Sequence, residues 1–166
     1  MRIPEIVDSA LRLYQRRLIA AEIVVEKDFR ECSSIVASAG ELRQLILYLI
    51  GNALDATGQG GRLKIRVTNT REHRNGSRPG IRLTIADTGT GIHPEIRNTL
   101  FEPFVSTKGD TGTGLGLWVS SEIVERHGGT IQVRSSVLGP TTGTAFSVFL
   151  PSQPLTGIHG PVGADA

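Results

Sequence analysis

Apolar residues recur at three- and four-residue spacing from the start of the chain, where Ile6, Ala10 and Tyr14 run beside Val7, Leu11 and Leu18. That stripe predicts an amphipathic helix over 4–20, with Pro4 in its first turn. Loose alternation predicts a strand over 22–29, and a short second strand is expected at 34–37. The strongest helical period covers 41–57, where Leu42, Leu45, Ile46, Leu49, Ile50 and Ala53 make one wide apolar face. Gly58, Gly60 and Gly61 stop it. Strict alternation follows over 62–68, with Leu63, Ile65 and Val67 on one side, and again over 81–85, with Ile81, Leu83 and Ile85. The polar segment between them carries Asn75-Gly76, a turn signal, so the two strands read as a long-looped antiparallel hairpin.

A short helix is expected at 94–101 and a second amphipathic helix at 115–127, closed by Gly128-Gly129. Residues 130–135 and 144–150 alternate as two further strands that can pair through a glycine-bearing turn. Helices interspersed with antiparallel strand pairs predict an α+β fold. The expected form is a two-layer sandwich whose mixed, mostly antiparallel sheet has helices packed on one face.

The 166 residues suit one domain over 1–150, followed by a Pro/Gly-rich tail over 151–166 that is expected to be disordered. A net charge of +2 is too small to argue for nucleic acid or an anionic membrane. The basic residues Arg62, Lys64, Arg66, Arg71, Arg74, Arg78 and Arg82 read as the exposed side of a half-covered sheet, because no aromatic residues interleave for base stacking. The single cysteine, Cys32, excludes an internal disulfide framework and fits a reducing compartment. The longest apolar run, 45–50, is far short of the ~20 residues that span a bilayer, and the N-terminus has no apolar signal-peptide core. Glycine is the outlier: 20 residues, clustered at 58–61, 89–91, 109–116 and 128–129. Such clusters mark tight turns or backbone that approaches a ligand.

Three features carry candidate chemistry. Tyr48, Asn52 and Asp55 share a helix face beside the apolar stripe, bordering glycine-rich segments. The strand over 81–85 runs into Asp87 and then Gly89 and Gly91. That carboxylate either closes an Asx turn or accepts from an exocyclic amine such as that of adenine. Gly112, Gly114 and Gly116 open the helix over 115–127, where unpaired N–H groups and the helix dipole suit phosphate. Lys108, just upstream, is either a phosphate contact or a solvated lysine. The P-loop pattern and the dinucleotide fingerprint are both absent, as are the protein-kinase segments.

The stretch 42–56, with Asn52 near its end, resembles the N box of sensor histidine kinases. Residues 87–92 resemble their first glycine box, 101–108 the F box, 112–117 the second glycine box and 143–146 the closing strand. The resemblance, in this order over 41–150, is to the catalytic and ATP-binding domain of those kinases. It implies the Bergerat fold shared with gyrase, heat-shock chaperone and mismatch-repair ATPases. By that resemblance Asn52 is a Mg²⁺ ligand, and Asp87 holds the adenine amine with Thr144 nearby. Gly89, Gly91 and Ile92 line the nucleotide. Phe101 and Phe104 anchor the flank of a lid over 105–113. Thr107, Lys108, Gly112, Thr113, Gly114, Leu115 and Gly116 lie toward the phosphates.

Position 48 of the family pattern is Asn, or in related ATPases a water-activating Glu, and here it is Tyr48. Asp55 stands where a Lys often faces phosphate, and Ala56 replaces an aromatic. These departures predict weak nucleotide binding and speak against gyrase-like hydrolysis. The four histidines, His73, His93, His127 and His159, do not sit in an acceptor motif followed by an acid. The expected partner is therefore a dimerisation hairpin bearing the acceptor histidine, with a response regulator downstream. The isolated domain is expected to be a cytoplasmic monomer with no catalytic nucleophile of its own. Two alternatives remain: a nucleotide-binding regulatory module with little turnover, and an anti-sigma-type serine kinase.

Overall fold

In the computed structural model, residues 1–73, 77–105 and 114–153 are described. Helix α1 (Ile3–Leu13) and helix α2 (Gln15–Ala20) precede strand β1 (Val24–Phe29) and helix α3 (Ala39–Ala56). The hairpin β2 (Arg62–Glu72) and β3 (Arg78–Asp87) follows, then a one-turn helix α4 (Pro94–Arg97). Helix α5 (Gly116–Arg126), β4 (Thr130–Ser136) and β5 (Gly143–Pro151) come last among the described elements.

The five strands form one sheet in the order β1-β2-β3-β5-β4. Only β1 and β2 run parallel. The β2–β3, β3–β5 and β4–β5 pairs are antiparallel. Alternation sends Leu63, Ile65, Val67, Ile81, Leu83, Ile85, Phe146, Val148 and Leu150 to the covered side, where all are buried with the apolar faces of α1, α3 and α5. Each fully buried Leu or Ile there contributes roughly 1.5–3 kcal/mol of transfer free energy. Helix α3 is the spine of the covered layer: Leu42, Leu45, Ile46, Leu49 and Ile50 are wholly inaccessible. Its first turn is capped by Ser38, whose side chain accepts from the Glu41 N–H. The Ser38 N–H in turn donates to Nε2 of His127, whose Nδ1 faces the Ile123 carbonyl, tying the start of α3 to the end of α5. No described helix is long and apolar enough to cross a membrane.

Four local expectations are corrected. The first helix breaks at Tyr14, which leaves helical geometry and turns its hydroxyl to the Leu47 carbonyl of α3. The segment 34–37 is not a strand. It hydrogen-bonds with the first residue and with the residue after β5 instead, Ile35 with Met1 and Val36 with Ser152, while Ile35 is buried. The short helix after Pro94 is a single turn. Ordered chain also runs past residue 150: Pro151 belongs to β5, and Ser152 N–H donates to the Pro79 carbonyl.

Candidate functional site

The inward parity of three neighbouring strands switches from apolar to polar at one level of the sheet. Asp87 follows Ile81, Leu83 and Ile85 on β3, Thr144 precedes Phe146 on β5, and Ser135 follows Ile131 and Val133 on β4. The register sets Asp87 opposite Thr144, and Thr144 opposite Ser135, so the three form a row. Asp87 and Thr144 are both buried. The Gly89 N–H donates to Asp87 Oδ1 at 2.8 Å, and the Thr144 N–H also reaches the carboxyl. Burial pushes the Asp87 carboxyl above the ordinary range, and these two N–H bonds pull the other way.

The turn after Asp87 is held on all sides. Its Thr90 N–H donates to the Ala56 carbonyl at the end of α3, and its Ile92 N–H to the Ser135 hydroxyl at 2.7 Å. Thr142 donates to the Gly89 carbonyl, while Arg97 donates to the Ser135 carbonyl. A Cβ on Gly89 would stand 2.4 Å from the Ala56 oxygen, so this backbone-to-backbone approach requires glycine. Gly91 has φ +78, and a Cβ there would meet the Ser136 oxygen at 2.2 Å. Ser135 and Thr142 escaped the sequence reading. The signal for Ser135 was present, a polar residue at an inward position of an alternating strand.

Helix α3 links this turn to the start of α5. Tyr48, Asn52 and Ala56 are spaced by four residues and follow one helix face, about 6 Å per step. The Tyr48 ring lies against Gly116, where a Cβ would be 3.5 Å from ring carbon Cδ1, and Ala56 touches Gly89. Half-buried Asn52 therefore sits between the two glycine segments. Asp55 pairs with Arg17 of α2 at 2.5 Å, which offsets its charge.

Gly114 has φ +66, and its carbonyl accepts from the Phe104 N–H at 3.0 Å, closing the base of the 105–113 segment. Phe101 packs edge-on against Phe146, with ring centroids 6.4 Å apart. The Phe104 side chain is 78% exposed, so only its backbone fastens that flank. Leu115 precedes α5 and Gly116 begins it, without a side-chain cap on the first turn. Thr107, Lys108, Gly112 and Thr113 lie outside the described residues. The structure thus gathers Asp87, Gly89, Gly91, Ile92 and Thr144 at one end of the sheet. Asn52 stands on the helix above, Gly116 adjoins Tyr48 one turn earlier on α3, and Gly114 adjoins the Phe104 backbone. A further cavity of about 560 Å³ between α5 and β4, lined by Trp118 and Ile131, shares Phe101 with this region but includes none of Asn52, Asp87, Gly89, Gly91 and Thr144.

The model of the histidine kinase-, DNA gyrase B- and HSP90-like ATPases matches residues 37–154. The C4-dicarboxylate transport sensor protein DctB of Rhizobium meliloti (strain 1021) is 38% identical over 149 residues, 88% of this chain and 22% of that protein. The chain therefore spans about a fifth of that relative's length. The mycobacterial sensor histidine kinase MprB superposes with a TM-score of 0.77 at 27% identity, covering 93% of this chain and 97% of that one. Full-length ShkA, solved in complex with AMPPNP, gives 0.73 at 27% identity over 91% of this chain and 31% of that one. The shared architecture is the Bergerat α+β sandwich. With its family motifs spaced along the sequence and the described parts of them drawn together by α3, the chain belongs to the histidine kinase-, DNA gyrase B- and HSP90-like ATPase family.

Proposed function

We propose that the cleft binds Mg-ATP and presents its γ-phosphoryl group to a histidine on a helical hairpin, in a two-component signalling protein whose phosphoryl group passes on to a response regulator. The observation that carries this reading is the placing of Asn52 between the Gly89 turn and the start of α5 by the Tyr48–Asn52–Ala56 face. Asp87 would accept the adenine amine, with Thr144 beside it, and Gly89, Gly91 and Ile92 would line the base. The N–H groups after Gly114 and the dipole of α5 would take phosphate oxygens, joined by Thr107, Lys108, Gly112 and Thr113. Leu115 and the Phe104 backbone would frame the lid.

The residues fit magnesium. Asn52 offers a hard amide oxygen, and the described residues hold no group of three or more His, Cys, Asp or Glu that would cage the ion. That suits a cation that keeps waters and shares substrate phosphates. When bound, it neutralises phosphate charge during transfer. The protein's own part is positioning and charge stabilisation: the terminal P–O bond breaks toward ADP as an imidazole nitrogen bonds to phosphorus.

Tyr48 favours a second reading, a nucleotide-sensing module with little turnover, because no carboxylate base occupies that place on α3. Mixing the chain with a hairpin bearing a His-Glu motif and γ-labelled ATP separates the two. Label on the hairpin histidine is expected, and nucleotide binding without transfer would favour the module. In the same assay Asn52→Ala is expected to weaken Mg-ATP about tenfold, close to 1.4 kcal/mol, while leaving metal-free nucleotide affinity nearly unchanged. Equal loss with and without magnesium would remove Asn52 from the metal.

A further inference from the structure

The uncovered face of the sheet is electrostatically divided. On its β1–β2 half, Glu26 and Asp28 pair with the cations beside them: Arg62 at 3.5 Å, Lys64 at 4.0 Å and Arg66 at 2.7 Å. On the β3–β5–β4 half, Arg82 and Arg134 have no ion pair among the described residues. There the long β2–β3 hairpin borders a concavity of about 210 Å³ with Phe149 in its wall.

The one acid lining this concavity, Glu72, is already engaged. One oxygen pairs with Arg78 and the other accepts from Thr130 at 3.1 Å. Arg78 also lies over the Phe149 ring, 5.8 Å from its centroid, and donates to the Gly128 carbonyl. Phe149 is left only 2% exposed although it points to the uncovered side. This wall is therefore closed on itself. What remains around the concavity is donor-rich: Arg82, Arg71, the Ser147 hydroxyl, the Gln132 amide and the His73 ring. Arg71 donates from one guanidinium nitrogen to Ser77. Half-buried Arg82 has no acidic partner among the described residues and sits on the middle strand of the sheet.

We propose that this concavity is an oxyanion site, distinct from the nucleotide cleft, that takes one phosphate or carboxylate group. Arg82 would supply charge, and Ser147 and Gln132 directed hydrogen bonds. At about 30 Å³ per water, the space admits such a group with a few waters. Arg82 stands five residues before Asp87 on β3, about 17 Å away along the strand, and projects from the opposite face. Occupancy is therefore independent of the adenine-binding row.

The test titrates the isotope-labelled full chain with inorganic phosphate and, separately, acetate, at constant ionic strength against chloride. Saturable amide shifts centred on Arg82, Gln132 and Ser147 are expected, with a midpoint on the order of 1 mM. Tighter phosphate than acetate assigns a phosphate group, and the reverse order a carboxylate. Arg82→Gln is expected to raise the midpoint about tenfold, and Ser147→Ala by a smaller factor, with Mg-ATP affinity unchanged in both. Shifts that grow linearly, spread equally over Arg62, Lys64 and Arg66, or persist in Arg82→Gln would mean an adventitious ion only and overturn the assignment.

Discussion

Asp87→Asn is expected to weaken adenine-nucleotide binding by roughly 10- to 100-fold while moving the melting temperature by only a few degrees. The carboxylate faces two N–H donors, from Gly89 and Thr144, and a ligand amine would be a third. An amide keeps one acceptor oxygen and turns an NH2 group toward donors, so the ligand loses a charge-assisted bond. Stability responds differently, because burial raises the Asp87 pKa. Below the ordinary Asp value of about 3.9 the group is protonated in both folded and unfolded chains. Above it the unfolded chain ionises first, and as pH rises through the elevated native value the folded chain must ionise against burial. The stabilisation carried by this group is thus present at low pH and lost on going up. Asn removes that cost at neutral pH, which offsets its poorer hydrogen bonding. Binding has the opposite pH dependence, since the amine needs the ionised acceptor. Calorimetry of the native chain is expected to show affinity falling on acidification above pH 4, while Asp87→Asn stays flat over that interval. Parallel pH curves for the two proteins would take Asp87 out of the site.

Gly89→Ala is expected to destabilise the fold by about 2–3 kcal/mol, a fall of roughly 5–10 °C in melting temperature. The added Cβ would lie 2.4 Å from the Ala56 oxygen and 2.5 Å from its carbon, both backbone atoms, and 2.8 Å from Asp87 Oδ1. Relief requires the end of α3 to separate from the turn, which moves Asn52 away from Asp87 and removes nucleotide binding as well. Gly58→Ala is the control, in the loop after the same helix, because nothing lies within 4 Å of a Cβ there. Thermal melts showing equal effects for the two variants would contradict the close approach.

What was legible in the sequence follows from period. The inward residues of β2, β3 and β5 alternate strictly, and the α3 stripe is wide, so local pattern alone placed the core and the two-layer form. Asp87 was visible because a strand of apolar inward residues ends in an acid before two glycines. Features that depend on distant partners were not visible. The Tyr14 break exists because its hydroxyl meets Leu47, 33 residues on. The expected strand at 34–37 is replaced by contacts to residues 1 and 152. Arg17, which takes up the Asp55 charge, lies 38 residues earlier. Ser135 and Thr142 support the glycine turn from β4 and the β4–β5 connection, and neither belongs to a glycine motif.

The most direct measurement is a Mg-ATP titration of the full chain followed by backbone amide resonances. Saturable shifts are expected at Asn52, Asp87 through Ile92, Thr144 and Gly114 through Gly116, with a micromolar or weaker midpoint. Saturable binding that leaves those amides unmoved, or shifts confined to the uncovered sheet face, would contradict a single nucleotide cleft under α3.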